Sequence, residues 1–212
     1  VFPLERIRPV ESIYSGPAAS ILGALAQSEP EESFIVVDIG GTTTDIGLVL
    51  GGSPLSSFKG AQIDNFLTHI RSLATRSITV GGDSTIINRN GEIIISNYRT
   101  GPAYCMGGNS PTPTDAMRYL NYIKIGSYQK AEEALAELLP ENERQALTIR
   151  TLAESIIEQM VEKIILAIKQ LLTEWKNEPA YKVWEVLHQN LDYKFNIYLS
   201  GGPAAGLAKT FE

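Results

Sequence analysis

FIVVDIGGTTTDIGLVLGG, residues Phe34 to Gly52, decides how this chain is read. Four apolar residues lead into Asp38, and a second apolar run follows Asp45 as far as Leu50. The β-branched Ile35, Val36 and Val37 suit a buried strand, so the stretch reads as strand, tight turn, strand. Gly40 and Gly41 let the turn backbone come close to a ligand and take up φ > 0. The amides of such a turn can converge on one concavity and hold phosphate oxygens. Thr42, Thr43 and Thr44 add hydroxyl donors. Asp38, at the strand end, stands where it can hold a hydrated Mg²⁺ or orient a water. An ordinary hairpin with the same composition is the competing reading, and spacing alone does not choose between them.

Composition sets the frame around this stretch. The 212 residues make one large domain or one and a half, long enough for a real core. Hydrophobic residues at 43% and charged ones at 20% are ordinary for a soluble globular protein. A net charge of -6, with no Lys/Arg-rich run, argues against a nucleic-acid surface. No apolar run reaches membrane-spanning length. The single cysteine, Cys105, cannot form an internal disulfide, which fits a reducing, cytoplasmic compartment. Residue one is Val and no signal-peptide pattern follows, so the chain is expected to be cut from a longer protein.

Val1 to Glu11 reads as an extended lead-in broken by Pro3 and Pro9. Ser15 can cap a helix with Pro17 in its first turn, over residues 15–27. Its small residues would let it pack closely on a neighbour. A third short strand is expected near Leu55–Phe58, and a helical turn or two around Phe66–Leu73. Ser77 to Ser84 reads as a strand ending in Gly81-Gly82-Asp83. Asn90-Gly91 is a strong two-residue hairpin signal between Thr85–Arg89 and Glu92–Asn97. Thr114-Asp115 is expected to cap a helix from Ala116 to about Tyr122. Gln129–Leu139 reads as a short helix that Pro140 ends. Leu152, Ile156, Met160, Ile164, Ile168, Leu171 and Trp175 recur at three or four, which predicts a core-covering helix over 151–175. Tyr181–Leu187 reads as a further short helix. Residues 195–206 read as strand, glycine turn and helix start, with Gly201, Gly202 and Pro203 at the turn. His69 and His188 read as surface or packing residues, since no metal spacing links them. Cys105 lacks a nearby histidine to activate it and reads as structural rather than nucleophilic.

DIGGTTTD resembles the second phosphate loop of the ATPase superfamily that contains actin, hexokinase and the heat-shock chaperones. It has the Asp-x-Gly-Gly-Thr-x-Thr-Asp form of the hydantoinase/oxoprolinase family. The SGPA of Ser15–Ala18 and the run GPAYCMGGNSPTPTDA from Gly101 resemble further segments of that family, with Tyr104 and Cys105 exchanged and Met106 at a usual glycine. Ser77–Ser84 resembles a third segment, but Thr79 and Asp83 stand where glycines are usual. Asp83 is thereby open to two roles, holding Mg²⁺ or ordering the loop. No Walker or G-x-G-x-x-G loop occurs.

The resemblance implies an α/β, ribonuclease-H-like (actin-like ATPase) lobe: a mixed sheet with an antiparallel meander and flanking helices. It implies that residues 1–212 are the second of two lobes, with a linker helix, a phosphate loop over 34–52 and an adenosine motif over 195–206. A missing N-terminal lobe, and in some cases a second subunit, would complete the site. ATP and Mg²⁺ are the implied cofactors. Gly40, Gly41, Thr42, Thr43, Gly81 and Gly82 would serve phosphates; Gly201, Gly202 and Pro203 would serve adenosine. Asp38, as metal ligand, and Asp45 would carry the catalytic roles. The implied activity is that of an ATP-dependent hydrolase or carboxylase component, in the leading form hydrolysis of a small-molecule cyclic amide by the full-length protein, with this part inactive by itself. A small-molecule kinase and a non-catalytic nucleotide switch are the alternatives.

Overall fold

A computed structural model describes residues 15–57, 59–60, 62–63, 66–67, 72–187 and 195–211. The extended lead-in expected over 1–11, and both histidines, lie outside them. The fold is the expected mixed α/β one. It divides into two compact units: residues 1–38, 45–76 and 169–198, and residues 39–44, 77–168 and 199–212.

The first unit is built on a sheet. Strand β1 (Phe34–Ile39) and strand β2 (Thr44–Leu50) flank the glycine turn as expected. Strand β3 is Ser53–Pro54, β6 is Thr75–Ile78 and β9 is Asn196–Ser200. The order is β3-β2-β1-β9, with β6 also pairing β2. Phe34, Ile35, Val36 and Val37 are all buried, so both faces of β1 are covered, as a continuous apolar run requires. Helix α1 (Ser15–Leu25) lays Ile21 onto Phe34, Val36 and Val49. The helix packs closely on its neighbour, but not through the small residues of SGPAASILGA. Gly16 and Gly23 face open space, and the close approach is made by Ile21 over Gly47 of β2, where an added Cβ would stand 2.8 Å from Ile21 Cγ1. The third strand expected near Leu55–Phe58 does not form over its described residues, where only Ser56 makes an isolated bridge to Leu73; the third strand is instead the two residues Ser53–Pro54. Gly51 and Gly52 both have positive φ, which closes a tight hairpin pairing Leu50 with Ser53 and Val49 with Pro54. The helical turn expected around Phe66–Leu73 is replaced, over its described part, by a strand. Phe66–Leu67 (β5) pairs antiparallel with Gln62–Ile63 (β4).

The second unit holds the hairpin of β7 (Ile86–Arg89) and β8 (Glu92–Ile95), in the register that Asn90-Gly91 predicts. Both turn residues have positive φ. Helix α2 (Pro113–Tyr119) starts three residues before Ala116, because Thr112 rather than Thr114 is its cap. Thr112 and Asp115 form a reciprocal capping box. Helix α3 (Tyr128–Glu137) is capped by Ser127. Helix α4 (Ala146–Trp175), whose residues from Lys169 on belong to the first unit, opens five residues before Thr151, and all seven residues of the expected stripe are buried. Lys163 Nζ, on α4, donates to the Ile95 carbonyl at 2.7 Å and fastens the helix to β8. Helix α5 (Pro179–Leu187) belongs to the first unit, and helix α6 (Ala204–Leu207) to the second.

Candidate functional site

The glycine turn closes on itself first. Gly40 N donates to Thr43 O at 2.8 Å, and neither Gly40 nor Gly41 takes the positive φ expected of them. Thr44 is buried and its hydroxyl donates to Val80 O at 2.6 Å, so Thr44 fastens the turn rather than offering a donor. Thr42 is exposed and Thr43 half-buried. Among the described residues, the amides of Gly41, Thr42 and Thr43 donate to no partner.

The second glycine segment holds this turn from behind. Gly82 N donates to Gly40 O at 2.9 Å, and Asp83 N donates to Gly41 O at 2.7 Å. Gly81 N in turn donates to Ser84 Oγ at 2.9 Å. A Cβ on Gly81 would stand 2.5 Å from Gly41 O and 2.7 Å from Gly40 O, closer than real Cβ contacts come. A Cβ on Gly82 would meet Pro203 Cγ at 2.5 Å and Thr114 Oγ1 at 2.8 Å. A side chain is thus excluded at Gly81 by the backbone of Gly40 and Gly41, and at Gly82 by the side chains of Pro203 and Thr114. Thr114, displaced from the capping role, donates from both its amide and its hydroxyl to Gly82 O, at 2.8 and 2.7 Å.

Asp83 completes the clasp. Its carboxylate accepts from Arg99 Nη2 at 2.9 Å and from Thr114 Oγ1 at 3.2 Å. Burial pushes the Asp83 carboxyl up, and the Arg99 cation only partly offsets it. Of the two roles open to Asp83, the structure shows loop ordering. Among the described residues no cluster of three His, Cys, Asp or Glu side chains could hold a metal ion.

At the end of the chain, Gly201 has φ 94°, a conformation that favours glycine. Gly202 faces open space where a Cβ would stand, while Pro203 packs on Gly82. In the first unit, Asp38 and Asp45 line one recess together with Pro17, Ser20 and Thr75. Asp38 is half-buried and its Oδ2 accepts from the Ser20 hydroxyl at 2.5 Å.

Three residues of this arrangement escape the sequence reading. Ser20 and Arg99 carry no local signal, because their partners lie 18 and 16 residues away. Asp115 was legible as a capping residue but not as a hub. It is fully buried and accepts from Thr112 N, Thr112 Oγ1, Tyr104 N and Cys105 N. Cys105 is buried, and burial, with Asp115 close by, pushes its thiol up to about 12, which disfavours the reactive thiolate.

The hydantoinase/oxoprolinase family model matches residues 4–210. The acetophenone carboxylase gamma subunit of Aromatoleum aromaticum is 30% identical over 175 residues, which is 73% of this chain and 23% of that protein. The caprolactamase subunit alpha of Pseudomonas jessenii is 31% identical over 130 residues, 58% of this chain and 18% of that protein. This chain therefore spans less than a quarter of the length of these relatives. Among solved structures, a nucleotide-free acetone carboxylase aligns with a TM-score of 0.64 at 18% identity, covering 76% of this chain and 25% of that one. The ATP-dependent caprolactamase from Pseudomonas jessenii aligns with a TM-score of 0.60 at 22% identity, covering 92% and 28%. Those two likenesses establish the fold; the family match and the curated relatives establish more, namely that this chain belongs to the hydantoinase/oxoprolinase family.

Proposed function

We propose that this chain is the nucleotide-phosphate-binding part of an ATP-dependent enzyme acting on a small-molecule carbonyl compound. The observation that carries the reading is the clasped turn. Its amides at Gly41, Thr42 and Thr43 are held in place by Gly81–Asp83 and are left without partners among the described residues. Convergent backbone donors of that kind suit an anion, and the hydroxyls of Thr42 and Thr43 add to the set. ATP, when bound, would supply a phosphoryl group whose transfer to a carbonyl oxygen releases ADP and opens the carbonyl carbon to attack. The chain's own contribution is placement. Gly41 to Thr43 would hold the phosphates, while Gly40 closes the turn through Thr43 O, and Gly81 and Gly82 keep it rigid from behind. Gly201, Gly202 and Pro203 offer an open glycine edge to adenosine.

Asp38 stands two residues before the turn. It is this chain's candidate ligand for Mg²⁺, with phosphate oxygens and water filling the other positions. Asp45 shares its recess and serves as the second acid for orienting water. Opening a cyclic amide is the leading reaction, in keeping with the caprolactamase relative. Carboxylation is a second reading, favoured by the longer match to an acetophenone carboxylase subunit. Both need the rest of the full-length protein, and a separate N-terminal lobe or subunit would bring the substrate.

Product analysis separates these readings. Full-length protein incubated with ATP, Mg²⁺ and a panel of lactams and hydantoins is expected to give the opened amide with ADP and phosphate. A product whose formation requires bicarbonate would move the assignment to a carboxylase. A stable phosphorylated product would make the protein a kinase, and ATP turnover indifferent to every substrate would make it a switch.

A further inference from the structure

We propose that Arg99 is a phosphate-contacting side chain of this site, and that Asp83 is the residue that positions it. The inference rests on the nucleotide reading given above and adds to it a cation that no motif supplies. Its observations are geometric. Arg99 Nε donates to Gly101 O at 2.8 Å, and Nη2 pairs with Asp83 Oδ2 at 2.9 Å. Two of the guanidinium's nitrogens are thus fixed. The third, Nη1, has no partner among the described residues and stands 3.3 Å from the place a Cβ on Gly41 would occupy. It therefore lies against the turn whose amides are unpartnered.

The fastening is not independent of the turn. Asp83 holds Gly41 O through its own amide and Arg99 through its carboxylate. Movement of the turn and movement of the guanidinium are coupled through this one residue. A purely stabilising role explains the pair poorly. The Arg99 side chain is 38% exposed, and ion pairs that open to water contribute little. Burial also works against the charged form of Asp83. A planar fork with free donors is, by contrast, well matched to the oxygens of a phosphate. In a chain of net charge -6, a cation set beside the turn also offsets the repulsion that a polyphosphate would otherwise meet.

The test is calorimetric titration of full-length protein with ATP, ADP and adenosine. Arg99→Ala is expected to weaken ATP binding by about tenfold to a hundredfold, the range for losing a charge-assisted hydrogen bond. Adenosine, which has no phosphate, should bind the variant as it binds the parent. Arg99→Lys should recover part of the ATP affinity, since it keeps the charge and loses the fork. Should Arg99→Ala fail to fold, Arg99→Gln carries the same expectation with more of the stem retained. Unchanged ATP affinity in the folded neutral variant would overturn the assignment of Arg99 alone. A parent protein that binds neither ATP nor ADP would overturn the nucleotide reading, and Arg99's role with it.

Discussion

Asp38→Asn in the full-length protein is expected to lower ATP turnover by about two orders of magnitude or more, with substrate binding much less affected. Asp38 is the last residue but one of β1, between the fully buried Val37 and Ile39, yet it is itself only half-buried and opens on a recess it shares with Asp45. A carboxylate in such a place needs a compensating partner. The Ser20 hydroxyl is one, and it would remain one for asparagine, whose amide oxygen can accept the same hydrogen bond. The substitution therefore spares what is structural and removes what depends on charge. Steady-state ATPase across a Mg²⁺ titration, beside a melting curve, reads the difference. Near-normal turnover at every Mg²⁺ level would leave Asp38 as turn scaffolding.

Asp115→Asn is expected to act on stability instead. The Asp115 carboxylate is fully buried and accepts four hydrogen bonds, three of them from backbone amides and one from the Thr112 hydroxyl. Asparagine halves the acceptor set and turns an NH₂ group toward backbone N–H donors. Losing charged acceptors and burying unmatched donors should cost about 3 kcal/mol. That is a large share of what ordinarily keeps a domain folded. Urea unfolding should show a lowered midpoint with an unchanged slope. A midpoint equal to the parent's would mean that the loop at Tyr104–Cys105 is held by other contacts.

The contrast between these residues shows what the sequence makes legible. The Asn90-Gly91 hairpin could be read in place because its turn chemistry is complete within two residues. The stripe of α4 could be read because burial follows one helix period for seven residues. The Gln62–Leu67 hairpin could not, since each strand is two residues long and too short to show alternation. The cap of α2 was placed two residues late. Thr112 and Thr114 are equivalent as capping residues by type; the reciprocal box of Thr112 with Asp115 and the long-range bond from Thr114 to Gly82 O separate them. The site behaves the same way. DIGGTTTD shows its turn locally, but the clasp from Gly81 to Asp83, the reach of Arg99 and the hydroxyl of Ser20 exist only once distant segments meet. Asp83, which departs from the glycine usual at its position, was the visible mark of that clasp.

The central claim is that the turn at Gly41 receives nucleotide phosphate. A Cβ there would stand 2.9 Å from Asp83 Oδ2 and 3.3 Å from Arg99 Nη1, both ends of side chains that can move. Gly41→Val should therefore leave the protein folded while filling the space in front of the turn amides. Calorimetric titration of the folded full-length Gly41→Val variant with ATP tests this most directly. The expected result is loss of measurable ATP binding in a protein that still unfolds in one cooperative transition, its melting temperature lowered only by displacement of the Asp83–Arg99 pair. ATP affinity and turnover equal to the parent's would contradict the phosphate assignment and leave DIGGTTTD an ordinary hairpin.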